Sequence, residues 1–160
     1  MNRRTAQRTN WKTLLLFLAI PVAVGLLSAV VSMDGMKHFE EVQKPAHTPP
    51  GWVFPAVWTA LYALIGLSSY FAYTSKTGKS RLWRVLYIIT LVLNFVWPFL
   101  FFKWRLFMLS FFVILLMWAV GFVLTRELWA RRPLAGILFL PYMGWLSFAA
   151  YLCYGVARLN

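Results

Sequence analysis

The sequence predicts an all-α integral membrane protein, a single domain built as a bundle of five membrane-spanning helices. Three observations carry this. Hydrophobic residues make up 61% of the 160 and charged residues only 12%, with a mean hydropathy of +0.68; a soluble chain this short needs far more charge to cover its surface. The charges fall in short clusters and leave five uncharged windows, at residues 13–33, 45–75, 85–102, 106–125 and 133–157. A helix rising 1.5 Å per residue crosses a hydrocarbon core roughly 30 Å thick in about 20 residues, and the windows meet or approach that length. Finally, the windows show neither the polar face of a soluble core helix nor the ten-residue alternation of a barrel strand.

The spans are placed at about residues 13–33, 52–74, 85–102, 106–125 and 134–157. In the first, Gly25, Ser28, Ala29 and Ser32 form one strip of small side chains that lets a neighbouring helix approach closely. Arg3, Arg4, Arg8 and Lys12 before this run imitate a signal peptide. The run is longer than a signal core and lacks a small-x-small exit, so it reads as an uncleaved span. The first loop, residues 34–51, is the longest. Met36, Phe39 and Val42 recur at helical spacing, predicting a short helix over the bundle mouth. Pro45, Pro49 and Pro50 then hold the chain extended and stiff, as suits a lid. The third span is the tightest, with Arg84 and Lys103 snorkelling outward. Trp104 and Arg105 make a short hairpin to the fourth span; Arg131, Arg132 and Pro133 turn the chain into the fifth. The loops are too short for a catalytic domain, which leaves function to the bundle and the first loop.

The net charge of +12 lies at span ends, where cations meet anionic lipid rather than nucleic acid. Eleven of the 16 Lys and Arg sit on the N-terminus, second loop and fourth loop, against five on the other side. That asymmetry puts the N-terminus on the cytoplasmic face. The single cysteine, Cys153, excludes an internal disulfide and reads as a small packed side chain.

No Asp, Glu, Lys, Arg or His lies in the five spans, which argues against ion pumps, proton relays and ion-coupled transport. Nor is there a nucleophile–base–acid set, a metal-ligand cluster or a phosphate loop. What the spans offer is aromatic surface, in a chain with nine Trp, seven Tyr and fourteen Phe. Trp11, Trp83, Trp104 and Trp129 stand at span ends and read as interfacial belts. Trp58, Trp97 and Trp145 lie deeper. Trp58 and Tyr62 share one helix face; Asn94 and Trp97 share a second; Trp145, Ala149 and Leu152 share a third. Helix packing accounts for any one of these aromatics alone. Together, three aromatic faces with a single amide fit a pocket for a large, flat, apolar ligand, in which Asn94 either meets the ligand or bridges helices.

Three blocks of sequence resemble the translocator protein family, known in bacteria as tryptophan-rich sensory proteins and in animals as the peripheral benzodiazepine receptor. QKPAHTPPGWVFPAVWTALY at 43–62 is similar to the family signature, LNFVWPFLFF at 93–102 to its third-span stretch, and PYMGWLSFAAYLCYGVARLN at 141–160 to its ending. Arg105 also falls where the family often has Arg. The resemblance implies a five-helix bundle whose pocket opens toward the first loop and takes porphyrin, haem, sterol and isoquinoline ligands. It implies pocket positions at Trp58, Tyr62, Asn94, Trp97, Trp145, Ala149 and Leu152, and a lid carrying Pro45, His47, Pro49, Pro50 and Trp52. A loose sterol-recognition pattern is met by Leu152, Tyr154 and Arg158. The chain departs from the family at His47, usually Trp, at His38-Phe39, usually an aromatic pair, and at Cys153, usually Asn. Solvated loop side chains are the plain reading of the two histidines. Beyond that, they would weaken ring stacking at the lid, give it a pH response near neutrality, or ligate haem.

The resulting reading is a multi-pass protein that binds tetrapyrroles and sterol-like ligands for sensing, transfer or disposal. It needs no cofactor, and its partners are the bilayer and these small molecules, with no nucleic acid. The rivals are light-driven porphyrin degradation, with Trp58 and Trp145 as candidate catalytic residues, and a scaffold that changes shape with ligand. A homodimer is open, although the third span lacks the small-xxx-small motif that would signal one. A bacterial plasma membrane is preferred to an organellar one.

Overall fold

In the computed structural model, which describes residues 10–75 and 81–160 and omits the side chains of 36–38 and 40, each of the five predicted spans corresponds to a long helix. These are α1 (Trp11–His38), α2 (Val53–Thr74), α3 (Leu82–Pro98, prolonged by a π-turn over Phe99–Lys103), α4 (Phe107–Arg131) and α5 (Pro133–Leu159). All five are long and apolar enough to cross a membrane. Arg3, Arg4, Arg8, Lys76 and Lys79 lie outside the described residues, as does the His38 side chain.

The helices close into a ring. α1 packs on α2, α2 on α5, α5 on α4, α4 on α3, and α3 back on α1. Successive helices run antiparallel, so the α1 and α3 neighbours are parallel. One end of the ring collects the C-termini of α1, α3 and α5 and the loop between α1 and α2. The opposite end collects the α2–α3 connection and the α4–α5 turn.

Two prolines shape the ring. Pro21 has no N–H to offer the carbonyl of Phe17 four residues back. Gly66 of α2 lies against that carbonyl, where an added Cβ would stand 2.5 Å from the Phe17 oxygen. Helices α1 and α2 thus meet backbone to backbone. Pro98 ends regular hydrogen bonding in α3. The following turn widens, with the Trp104 N–H reaching the Phe99 carbonyl at 2.8 Å and the Leu106 N–H reaching that of Leu100 at 2.9 Å. Arg105, at φ 55°, then reverses the chain into α4.

Two sequence expectations are corrected here. The separate lid helix over Met36, Phe39 and Val42 does not form: α1 continues to His38 and tightens into a 3₁₀ turn over Phe39–Glu41. A charged residue such as Asp34 ends an apolar window but does not end a helix. Trp83 is not interfacial; it is 3% exposed. It begins the inward stripe of α3, followed by Tyr87, Leu91, Asn94 and Trp97, all buried. Trp11, Trp104 and Trp129 are exposed.

Candidate functional site

A cavity of about 960 Å³ occupies the ring at the end that carries the α1–α2 loop. Its walls come from all five helices and the loop, α4 contributing Met117. Helix α2 supplies Trp58 and Tyr62, α3 supplies Asn94 and Trp97, and α5 supplies Trp145, Ala149 and Leu152. These are the seven positions singled out in the sequence, and the structure brings them to one cavity. Sequence reasoning did not identify Ser28 and Ala29 of α1, Phe54 in the first turn of α2, or Phe101 and Phe102 of the π-turn. The small strip of α1 was legible, but which face meets a cavity depends on the ring. The two phenylalanines lie in the widened turn that follows Pro98.

The aromatic side chains of the cavity form two groups. Trp58 stacks on Tyr62 with centroids 5.6 Å apart and planes at 29°, and meets Trp145 edge-on at 6.5 Å and 85°. Phe54 abuts Trp145 at 6.1 Å, again edge-on. Across the cavity, Trp97 stacks on Phe101 at 5.0 Å and 17°. The Trp97 indole N–H donates to the Ser110 carbonyl at 3.1 Å, which fixes its ring.

Asn94 is 2% exposed. Its Nδ2 donates to the Thr90 carbonyl at 2.7 Å and to the Tyr142 hydroxyl at 2.8 Å. The carbonyl partner accepts only, so the amide orientation follows from the network. Asn94 therefore does bridge helices, through Tyr142 of α5, a residue the sequence reading passed over. Its Oδ1 is buried with no hydrogen-bond partner among the described residues, and so is the Trp145 Nε1. The site thus holds one unspent acceptor and one unspent donor, in a wall that is otherwise mostly apolar. Leaving such groups unpaired costs on the order of 1–3 kcal/mol each.

The loop over the cavity is pinned to α5. The Tyr151 hydroxyl donates to the Ala46 carbonyl at 2.9 Å. Asn160 makes two hydrogen bonds to the Gln43 backbone, its Oδ1 accepting at 3.1 Å and its Nδ2 donating at 2.9 Å. Pro45 rests where Gly155 has no side chain; a Cβ there would stand 2.6 Å from the proline ring. The Thr48 hydroxyl donates back to the Pro45 carbonyl at 2.7 Å. His47 takes a left-handed backbone, φ 66°, and with Lys44, Pro45, Pro49 and Pro50 it lines the cavity. Trp52 does not; it stands 72% exposed at the start of α2, as an interfacial tryptophan would.

The sterol pattern does not form one surface. Leu152 lines the cavity, whereas Tyr154 faces outward and packs on Phe111 at 5.2 Å, and Arg158 is exposed. Residues two apart on a helix lie roughly 200° apart around its axis, so Leu152 and Tyr154 cannot cover one ring system. Among the described residues no group of His, Cys, Asp and Glu could hold a metal ion.

Comparison with known proteins places the chain. The model of the TspO/MBR family matches residues 17–159. The Tryptophan-rich protein TspO of Chlorobaculum tepidum is 33% identical over 92% of this chain and 96% of its own. The Translocator protein of Ovis aries is 33% identical over 94% and 91% respectively, and the Tryptophan-rich sensory protein of Cereibacter sphaeroides 31% identical over 94% and 93%. With its five apolar helices, this is a multi-pass membrane protein, and it belongs to the TspO/MBR family.

Proposed function

We propose that this protein binds large, flat, mostly apolar ligands of the tetrapyrrole and sterol classes within its helix ring, for sensing, transfer or disposal. The observation that carries the reading is the aromatic cavity with its buried, partnerless Asn94 Oδ1 and Trp145 Nε1. Its volume lies near the top of the roughly 300–1,000 Å³ range of ligand pockets, which suits a macrocycle or four fused rings better than a small metabolite. A tetrapyrrole brings ring N–H donors and carboxylate acceptors, matching both unspent groups. A sterol brings one hydroxyl and satisfies them less completely. Pinned by α5, the loop would have to swing or breathe for a ligand to pass.

The test is a titration of the purified protein with protoporphyrin in the dark, followed by quenching of tryptophan fluorescence. Saturable one-to-one binding, weakened severalfold by Trp58→Phe and by Trp145→Phe, supports the reading. If neither substitution changes binding while the exposed Trp104→Phe does, the cavity is not the site.

A second reading rests on the edge-on contact of Trp58 and Trp145, both facing the cavity. A porphyrin excited by light against these two indoles is placed to take an electron from one of them, and dissolved dioxygen is the oxidant that would carry the ring breakdown forward. Loss of the porphyrin absorption band under illumination, abolished by Trp58→Phe although dark binding persists, would support degradation over binding alone.

A further inference from the structure

The two aromatic groups of the cavity are seated differently. Trp97 and Phe101 stack on each other, and the Trp97 indole is tied to the Ser110 carbonyl of α4. Tyr62 stacks on Trp58, which in turn meets Trp145 and Tyr142 edge-on. Tyr62 rests on a residue with no side chain. A Cβ added to Gly25 of α1 would stand 2.3 Å from Tyr62 Cε2, 2.6 Å from Cδ2 and 3.1 Å from Cζ, where ordinary contact begins at 3.4 Å. The ring occupies the volume that any side chain at position 25 would take, and both residues line the cavity.

Helix α1 is held on either side of Gly25 and has little freedom to retreat. Before it, the Phe17 carbonyl lies against Gly66 of α2. After it, the Ser28 hydroxyl donates to the Phe95 carbonyl of α3 at 3.2 Å, and Gly35 lies against the Phe102 carbonyl, 2.4 Å from an added Cβ. A methyl at position 25 must therefore be accommodated by the Tyr62 ring, which has Trp58 stacked on one face. Moving the ring either breaks that stack or carries it into the cavity.

We infer that Gly25 is the specificity-determining residue of the cavity. Its missing side chain lets Tyr62 sit back against α1 and leaves the space broad enough for a tetrapyrrole macrocycle. With a side chain there, the cavity favours narrower fused rings of the sterol class. The inference rests on the proposed binding of tetrapyrroles and adds which residue sets the width. A macrocycle is rigid and broad in both in-plane directions, so it cannot evade a displaced ring; a sterol is broad in one direction only. Overpacking a well-packed site carries a penalty equivalent to roughly five- to a hundredfold in affinity.

The experiment is a titration of purified wild type and Gly25→Ala with protoporphyrin in the dark and with the fluorescent sterol dehydroergosterol, beside thermal unfolding without ligand. In Gly25→Ala, porphyrin affinity should fall about tenfold and sterol affinity by less than about twofold. Tyr62→Met replaces the ring by a flexible chain that can make room for a methyl. In that background, adding Gly25→Ala should cost porphyrin binding less than about twofold. If Gly25→Ala alone does not fold, recovery of a folded, porphyrin-binding protein in the double variant supports the inference. Undiminished porphyrin affinity in Gly25→Ala, equal loss of both ligands, or no rescue in the Tyr62→Met background overturns the inference and leaves the binding reading standing. Absence of saturable porphyrin binding by the wild type would overturn both.

Discussion

Asn94 and Trp145 show how a residue can serve the fold and the cavity with different atoms. The amide nitrogen of Asn94 is spent on Thr90 and Tyr142, and its oxygen is not. Asn94→Leu therefore has two expected effects. Loss of two buried hydrogen bonds, with Tyr142 deprived of its donor, should destabilise the bundle by about 1–3 kcal/mol, read as a lower unfolding temperature in detergent. Loss of the acceptor should weaken ligands that carry N–H groups more than those that do not. Trp145→Phe separates the two roles, because the Trp145 indole N–H has no hydrogen-bond partner among the described residues. Stability should change little beyond the small cavity left by the indole. Porphyrin affinity should fall about three- to tenfold, the worth of one hydrogen bond. A large drop in stability with unchanged affinity would mean that the indole packs the core and does not face a ligand. The control in such experiments must be Trp104 or Trp11, since Trp83 belongs to the core.

Among the elements, backbone approach decides what substitutions do. Gly66→Ala improves helix propensity by up to about 1 kcal/mol, but its Cβ would stand 2.5 Å from the Phe17 carbonyl oxygen. That oxygen is backbone, held by the rest of α1, and cannot rotate away. Overpacking of this kind costs roughly 1–3 kcal/mol, so net destabilisation is expected, seen as earlier thermal unfolding; a gain in stability would refute the close α1–α2 contact. Gly155→Val acts on the loop instead, pushing Pro45 off α5. Ligand exchange should speed up severalfold in stopped-flow quenching, with the unfolding temperature nearly unchanged. Much of this architecture was legible in the sequence, because charge gaps mark where a chain can sit in hydrocarbon. The ends were less so: α1 runs on to His38 and α4 to Arg131, since helical hydrogen bonding continues through the headgroup layer where charges are welcome. Pro98 was visible as a helix breaker. The π-turn it introduces, and with it the inward placement of Phe101 and Phe102, depended on contacts with α1 and α4 that no local pattern encodes. Likewise the one-turn spacing of Trp58 and Tyr62 was readable, whereas the outward Tyr154 was mistaken for a partner of Leu152 by a pattern blind to helix phase.

For the whole molecule, the ring has two unlike ends, and the difference predicts an orientation in the membrane. The cavity end carries Lys44, Lys103, Arg105 and Arg158 among its described cations, offset by Asp34 and Glu41, while the opposite end carries six against Glu127. Each cation retained beside an anionic cytoplasmic leaflet contributes up to about 1 kcal/mol, so the imbalance favours one orientation by several kcal/mol. The cavity and its loop should then face away from the cytoplasm, and ligands would arrive from that side. Single-cysteine labelling tests this. Cys153 is buried with its thiol 3.6 Å from the Phe107 carbonyl, a position where a serine hydroxyl can donate the same bond, so Cys153→Ser supplies a silent background. In that background, Ala46→Cys places a reporter on the exposed loop and Ala130→Cys one near the basic end, both at exposed positions. A membrane-impermeant maleimide applied to intact bacteria expressing the protein should label Ala46→Cys, and should reach Ala130→Cys only after permeabilisation. The reverse pattern would put the cavity on the cytoplasmic side and show that charge placement does not set this chain's topology. Labelling of both in intact cells would show that the two orientations coexist.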